Sequence, residues 1–244
     1  MQIIKTISAS SYNCYQECPY RWQLQYIYKL IQPEIEAFVI GRMYHQGVEM
    51  FHNGHSTQDT IESVRKLMLV EPTQSNISNF GLVRLMLEKY YEDPIMTPTI
   101  ESEYKFCEAL SLAVNGQYPL PPLFGFIDRV VEGGIIEHKT SSFDYTEEHT
   151  SGIQTDIYAY AYYKKYGNIP KVTYHVMNKT KVKKKGYKPQ VIELTKSIDD
   201  FDKMKGKLLI FYDNVINKRY NATPGKHCNW CAYKASCDKR YARQ

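Results

Sequence analysis

The chain has 244 residues, a formal net charge of +5 and a hydrophobic fraction of 43%. This length suits one domain with a substantial core, and the composition excludes a disordered chain. The mild basic excess is compatible with a polyanionic partner, and the 22 tyrosines suit either half-buried packing or stacking on unpaired bases.

No apolar run approaches the ~20 residues of a membrane span, and the first residues lack the apolar core of a signal peptide. We therefore expect a cytoplasmic protein without membrane contact. In that compartment the six cysteines are expected to be metal ligands or buried thiols rather than disulfides.

The first third of the chain is predicted to be helical. Residues 8–11 offer capping hydroxyls for a short helix, and Pro19 fits the first turn of a second helix that runs to Leu30. Cys18 would then stand at the N-cap of this second helix, where a thiolate is favoured, so we prefer it to Cys14 as a metal ligand. Further amphipathic helices are predicted over 37–51, 57–70 and 78–91.

A strand predicted over 101–114 precedes a β-hairpin whose two apolar runs flank the turn sequence Glu-Gly-Gly. Asp128 lies in the first hairpin strand, while Glu137 and Lys139 share one face of the second. Two carboxylates and an ammonium on adjacent strands can hold a divalent cation and activate a water molecule. A solvated hairpin with a surface ion pair is the alternative, and the pattern alone does not decide between them.

After the hairpin, further elements surround a lysine-rich segment. The predicted elements are a helix over 152–166, strands over 172–178 and 191–194, and a helix over 197–219. Residues 179–188 contain six lysines, among them Lys183, Lys184 and Lys185. Such a run is usually a solvated loop, and contact with phosphates is the functional alternative.

Three cysteines close the chain in a compact, turn-rich segment: Cys228, Cys231 and Cys237. Three thiolates need a fourth ligand from elsewhere. Both a zinc site and a cubane iron–sulfur cluster accept four cysteines, and His227 could instead complete a zinc site of three cysteines and one histidine. Spacing alone therefore leaves both kinds of site open.

The hairpin resembles the signature of the PD-(D/E)XK nuclease superfamily, with Asp128 followed by Glu137-His138-Lys139. Upstream, Gly41 and His45 are similar to the G-x-x-x-H element of the RecB-type branch of this superfamily. Each element is a weak motif alone, but the elements occur in the family order.

Two further elements extend the resemblance from about residue 8 to residue 237. Gln154 and Tyr158 are similar to the Q-x-x-x-Y element of the RecB-type branch. Cys18 together with the three C-terminal cysteines matches the four-cysteine iron–sulfur pattern of the AddB nuclease and of CRISPR-associated Cas exonucleases.

The resemblance implies an α/β fold in a single nuclease domain over 1–244. This domain would have a restriction-endonuclease-like core, in which helices flank a central mixed sheet. A helical insertion would span 57–92, and a C-terminal iron–sulfur module over 220–244 would be joined to Cys18.

The resemblance also implies residue roles. Asp128, Glu137 and the backbone carbonyl of His138 would hold Mg2+ or Mn2+, with His45 as a further ligand. Lys139 would orient or help to deprotonate the attacking water, and Glu103, preferred to Glu101, would fill a further acidic position. The predicted DNA-contacting residues are Gln154, Tyr158, Arg129, Lys183, Lys184 and Lys185. The predicted ligands of a [4Fe-4S] cluster are Cys18, Cys228, Cys231 and Cys237.

These roles imply a metal-dependent DNA exonuclease that acts on single-stranded DNA or DNA ends, in recombination, repair or CRISPR spacer processing. Because the chain lacks the G-x-x-x-x-G-K-[ST] phosphate loop, no ATP motor is built in, and the protein would act by itself or beside partners such as a helicase. Single-strand-binding and recombination proteins are further expected partners. The alternatives are a catalytically silent iron–sulfur subunit that binds DNA and a zinc-bearing nucleic-acid adaptor.

Overall fold

A five-stranded mixed sheet lies at the centre of the computed structural model, which describes residues 4–33, 35–70 and 73–241. The strand order is β1-β4-β5-β6-β7, and β2 pairs with β3 in a separate small hairpin. The strands are β1 (Thr99–Glu108), β2 (Ala113–Val114), β3 (Tyr118–Pro119), β4 (Leu123–Val131), β5 (Gly134–Ser141), β6 (Lys171–Asn178) and β7 (Gln190–Thr195).

The predicted hairpin is β4 and β5, which are antiparallel, while β5 and β6 are parallel. Parallel neighbours need a long crossover connection, and the helix over 153–166 supplies it here. The outer pairs, β1 with β4 and β6 with β7, are antiparallel. The predicted α/β fold with a central mixed sheet flanked by helices is confirmed.

The helices are α1 (Ala9–Glu17), α2 (Pro19–Trp22), α3 (Glu36–His52), α4 (Thr57–Met68), α5 (Gln74–Glu92), α6 (Glu147–Thr150), α7 (Ile153–Tyr166), α8 (Ile198–Ile216) and α9 (Lys234–Tyr241). Short helical turns of other types cover Gln23–Ile27 and Lys226–Trp230. The predicted capping is present, since the Ser8 hydroxyl accepts a hydrogen bond from the Ser11 amide and Pro19 opens α2.

Several predicted boundaries differ from the structure, and the helix expected to begin at residue 78 begins at Gln74. The helix expected over 19–30 changes to a π-helical turn at Gln23 and ends before Leu30. The strand expected over 101–114 ends at Glu108, because residues 113–114 pair with 118–119 in the separate hairpin. The last long helix ends at Ile216, so its expected basic end lies in the following turn.

Helices cover the sheet in two layers with separate apolar clusters. The larger cluster joins α1, α7 and α8 to the sheet, with Trp22, Ile157 and Phe211 among its fully buried side chains. The second cluster joins α3, α4 and α5 and includes Met177 of β6. Within the described residues, no helix is both long and apolar enough to cross a membrane.

The start of β5 packs so closely on β6 that it requires a glycine. A Cβ added at Gly134 would lie 2.6 Å from the backbone carbonyl oxygen of Lys171, which cannot rotate away. Because overpacking forces backbone shifts, we predict that Gly134→Ala lowers the free energy of unfolding by about 1–3 kcal/mol. Urea denaturation followed by circular dichroism measures this change.

The matched control is Gly81→Ala, within α5, where nothing lies within 4 Å of the added Cβ. This variant should be as stable as the parent or more stable, by up to about 1 kcal/mol, because alanine favours helix over glycine. Equal denaturation midpoints for the two variants would contradict the close packing of β5 on β6.

Candidate active site and a cysteine-lined pocket

The centre of the sheet opens where β4 and β5 separate. Their pairing ends at Arg129 opposite Ile136, so the next facing residues are Asp128 and Glu137. There a carboxylate replaces the backbone ladder: the His138 amide donates to Asp128 Oδ2 at 2.7 Å. The sequence thus places two acids at a point where neighbouring strands leave space between them.

Asp128 belongs to a group of three metal-binding side chains with His45 and Glu103. One ligand atom from each residue lies within 4.8 Å of the others. Asp128 extends from β4, Glu103 from the adjacent β1, and His45 from α3, which packs against β1 and β5. Carboxylate oxygens with one imidazole suit Mn2+ and Mg2+. The predicted Glu103 and His45 are therefore brought together with Asp128.

The backbone of Glu103 adopts a conformation that is uncommon for a residue with a side chain. Its φ is +47°, in the left-handed region, although it lies inside strand β1. Such outliers persist only where the surroundings hold them, and they concentrate at functional sites.

His45 and Asp128 form an ion pair in which His45 Nδ1 lies 3.2 Å from Asp128 Oδ1. Burial opposes charge on Asp128, but His45 outweighs it and holds the Asp128 pKa well below its usual range. Burial likewise lowers the pKa of His45, yet the Asp128 charge and hydrogen bond raise it overall. Burial and the Asp128 charge raise the pKa of Glu103 to about 7.

Glu137 is buried beside Lys139, Gln154 and Tyr158. Lys139 Nζ donates to Glu137 Oε2 at 3.0 Å, and Gln154 Nε2 donates to the same oxygen at 3.3 Å. Burial and the Asp128 charge raise the Glu137 pKa to about 7. Burial lowers the pKa of Lys139, but Glu137 and Asp128 outweigh it and keep the pKa above the ordinary lysine value. Lys139 is therefore an ammonium group fixed against Glu137.

The His138 side chain lies on the opposite face of β5 from Glu137 and Lys139. Its ring lies 5.4 Å from both the Tyr90 and the His175 rings, and both of its nitrogens are buried without a described hydrogen-bond partner. Burial holds the His138 pKa well below its ordinary value. Only the backbone carbonyl of His138 therefore remains as the predicted metal ligand.

Arg129 does not face the open space, which corrects the prediction that it contacts DNA. Its side chain is 1% exposed, and its guanidinium donates to Thr99 Oγ1 and to the carbonyls of Ile95 and Thr97 at 2.6–3.1 Å. Because these bonds use all three of its nitrogens, Arg129 fixes the segment before β1 to the sheet.

An open cleft of about 770 Å³, which we call the main cleft, contains His45, Glu103, Asp128 and Lys139. Phe38 and Lys179 also line it; the sequence analysis included Lys179 in the lysine-rich segment 179–188 but did not place either residue at the site. Lys179 directly follows β6, and the ends of parallel neighbours share an edge. This rule could have identified Lys179 as a neighbour of the end of β5. In the structure its amide donates to the carbonyl of Ser141, the last residue of β5.

The lysine-rich segment 179–188 has both buried and exposed residues. Val182 is fully buried, and the Tyr187 hydroxyl accepts from the Asn178 amide at 2.7 Å. Lys183, Lys184 and Lys185 are exposed and do not line the main cleft. Their contact with DNA stays a prediction.

A second pocket, of about 90 Å³, is lined by Cys18, Cys228, Cys231 and Cys237. Residues 18–24 and residues 222–238 form its walls. The same two parts of the chain are linked nearby, where the Tyr233 hydroxyl donates to the Leu30 carbonyl at 2.9 Å. Cys14 does not line this pocket, and its thiol lies 3.7 Å from Gln25 Oε1.

Two of the four sulfurs accept hydrogen bonds from the backbone. Backbone amides point at two of the sulfurs, from Arg21 to Cys18 at 3.5 Å and from Gly225 to Cys228 at 3.4 Å. Hydrogen bonds to sulfur are typical of cluster ligands. His227 also lines the pocket, with a buried Nε2 that has no described partner.

The chain is similar to known proteins in sequence and in fold. The sequence profile of the PD-(D/E)XK nuclease superfamily matches residues 6–238. The crystal structure of a "Putative exonuclease" from Eubacterium rectale has a TM-score of 0.60 at 12% identity, covering 94% of this chain and 88% of that chain. The crystal structure of SSO0001 has a TM-score of 0.49 at 15% identity, covering 96% and 87%.

No curated protein sequence is significantly similar to the chain. At 12% identity the likeness to the "Putative exonuclease" concerns the fold alone. The profile match covers nearly the whole chain and includes the two hairpin acids, His45 and Lys139. The chain belongs to the PD-(D/E)XK nuclease superfamily.

Proposed function

We propose that this protein is a Mg2+- or Mn2+-dependent deoxyribonuclease that degrades DNA from single-stranded regions or ends. The observation that carries the proposal is the convergence of His45, Glu103 and Asp128 within 4.8 Å. Glu137 and Lys139 stand beside this group at the point where β4 and β5 separate. The main cleft gives a strand access to these residues from solvent.

Each residue has a distinct part in the proposed reaction. Asp128, Glu137 and the His138 carbonyl would hold the cation, with His45 and Glu103 completing its protein ligands. The bound divalent cation supplies a Lewis acid that stabilises phosphate charge and lowers the pKa of a bound water.

Lys139 contributes a fixed positive charge. Because its pKa lies above the ordinary lysine value, it is suited to orienting the attacking water and to stabilising negative charge on the phosphate, rather than to removing a proton. Gln154, which donates to the same Glu137 oxygen as Lys139, and its neighbour Tyr158 would position the strand.

For the cysteine pocket we propose a [4Fe-4S] cluster held by Cys18, Cys228, Cys231 and Cys237. A tetrahedral zinc site holds its sulfurs about 3.8 Å apart, given Zn–S bonds of about 2.3 Å. Among the described residues, no three cysteine or histidine ligand atoms of this pocket lie within 4.8 Å of one another. The choice of a cluster over a zinc ion rests on the four-cysteine pattern of the resemblance, with Cys18 as the fourth ligand. The cluster would fasten the C-terminal segment to α2.

The resemblance also suggests a cellular process and protein partners. It supports work in recombination, repair or CRISPR spacer processing, beside a helicase, a single-strand-binding protein or a recombination protein. Lys179, in the main cleft, and the exposed lysines at 183–185 would add sequence-independent phosphate contacts.

The nuclease proposal predicts that the parent degrades end-labelled single-stranded DNA in the presence of Mn2+. Glu137→Gln and Lys139→Met should each lower the rate by roughly 100-fold or more, because each removes a charged group at the reacting phosphate. Denaturing gels measure the rate, and the label position gives the polarity of degradation.

Glu62→Gln, in α4, is the matched control, since this exposed carboxylate pairs with the neighbouring Arg65 and Lys66 of its own helix. It should degrade DNA like the parent. A parent protein that binds DNA and never cuts it would overturn the nuclease proposal in favour of a silent binding subunit.

Metal binding should depend on pH in a defined direction. Glu103 and Glu137, each with a pKa of about 7, carry protons at about pH 6 that a cation must displace. His45, with a raised pKa, must also lose its proton to bind a metal. We therefore predict that a fixed concentration of Mn2+ raises the melting temperature more at about pH 8 than at about pH 6.

Asp128→Asn should abolish the Mn2+-dependent rise in melting temperature at both pH values. Asp202→Asn should preserve it, because Asp202 is an exposed residue of α8 that pairs with Lys205. An equal Mn2+ effect at the two pH values, or its persistence in Asp128→Asn, would contradict the assigned ligand set.

The cluster proposal predicts that protein purified without oxygen is brown, absorbs at ~400 nm and contains about four irons per chain. Cys231→Ser should lose this iron and melt at a lower temperature, because the cluster joins the two chain ends. Cys107→Ser, which changes an exposed cysteine of β1, should retain both properties. A colourless parent with about one zinc per chain would replace the cluster with a zinc site.

A further inference from the structure

A groove of about 430 Å³ lies beside the catalytic residues and shares no lining residue with the main cleft. We call it the aromatic groove. Gln154 and Tyr158 form its inner end, and Gln154 donates to Glu137. The start of α1 and the first half of β4 form the rest of its lining, with Ser8, Ser10, Asn13, Phe124 and Phe126.

The groove exists because one edge of β4 pairs with two different segments, first with Ile7 and then with β5, and has no strand partner between them. At its start β4 pairs with Ile7, which donates to the Pro122 carbonyl and accepts from the Phe124 amide, both at 2.9 Å. At its end β4 pairs with β5, from Arg129 onward. Between these contacts the Phe126 amide and carbonyl face the open edge, because alternate residues of a strand point the same way. A polar backbone edge therefore runs from Phe124 to Asp128.

Phe126 presents an exposed ring beside this edge. Its side chain is 43% exposed, and the Phe124 ring supports it edge-on at 5.4 Å. Lys105 stands directly opposite Phe126 on β1, with its Nζ 5.7 Å from the centre of the Phe124 ring. An aromatic face next to a lysine suits a nucleotide, whose base stacks while its phosphate meets the ammonium.

The charges of the two openings differ. The main cleft carries both signs of charge, with the carboxylates Glu49, Glu103 and Asp128 beside the cationic Arg42, Lys139 and Lys179. The aromatic groove is lined by hydroxyl, amide and aromatic side chains, and none of the described residues of its lining is a carboxylate. A phosphodiester chain can therefore lie in the aromatic groove without repulsion from its lining.

We propose that the aromatic groove holds the unpaired DNA strand next to the scissile phosphate, with Phe126 as the stacking platform for one base. This inference rests on the proposed nuclease function and assigns a substrate-positioning residue to it. The strand would pass from the main cleft, across Asp128 and Glu137, and along the β4 edge to Phe126. Because a ring can stack only on an available base face, the groove would select unpaired DNA over duplex DNA.

The test measures the affinity of Glu137→Gln protein, which should bind without cutting, for fluorescein-labelled oligo(dT) by fluorescence anisotropy. Adding Phe126→Ala should weaken binding roughly 5- to 100-fold, the effect of losing one base–aromatic stack. Phe126→Trp should bind within about threefold of the reference because it keeps a ring. Tyr118→Ala, which removes an equally exposed ring from the separate hairpin, should not change the affinity.

A second readout locates the base directly. Oligo(dT) carrying a single 5-iodouracil is irradiated on the Glu137→Gln protein, and the cross-linked peptide is identified by mass spectrometry. We expect the cross-link at Phe126, with its loss in Phe126→Ala and retention in Tyr118→Ala.

The outcomes separate this inference from the nuclease proposal. If Phe126→Ala binds as tightly as the reference and the cross-link maps elsewhere, the groove assignment is wrong, although a parent that cuts DNA would still be a nuclease. If the parent neither binds nor cuts single-stranded DNA, the proposed function fails first. If Phe126→Trp weakens binding as much as Phe126→Ala does, the ring does not act by stacking and the inference is wrong.

Discussion

The hydrogen bond from the His138 amide to the Asp128 carboxylate, 2.7 Å long, is the contact on which the candidate site depends. It stands where the next backbone pair of a regular hairpin would be, so it holds β4 and β5 together while letting them separate. The same carboxylate binds His45. One acid therefore ends the ladder, opens the sheet and fixes α3 over the opening.

This opening concentrates charge in a buried place. Glu103 and Glu137 have pKa values raised to about 7, because burial and the Asp128 charge both disfavour their ionised forms. A divalent cation would relieve that repulsion, which gives the arrangement a physical reason to bind one. The positive φ of Glu103 is a second local departure from the most stable conformation at the same site. Sites of this kind sacrifice stability for chemistry, and the surrounding core compensates.

Local spacing predicted the parts of the site that lie on one hairpin. Glu137 and Lys139 share a face because they are two residues apart on a strand, and the Glu-Gly-Gly turn sets Asp128 opposite. The approach of His45 and Glu103 came from resemblance, because it depends on how α3 packs against the sheet. Arg129 was misassigned for a similar reason: the partners of its guanidinium come from residues 95–99, whose path no local pattern reveals. The aromatic groove also depends on long-range contact, through Ile7.

The central claim is that the three residues gathered around Asp128 hold a divalent cation. Diffraction from crystals soaked in Mn2+, recorded at a wavelength where manganese scatters anomalously, tests it most directly. We predict an anomalous peak within bonding distance, about 2.0–2.3 Å, of Asp128 and of His45 or Glu103, and no peak at this position in Asp128→Asn crystals. A well-ordered parent crystal with no peak there, or with manganese bound only elsewhere, would contradict the account.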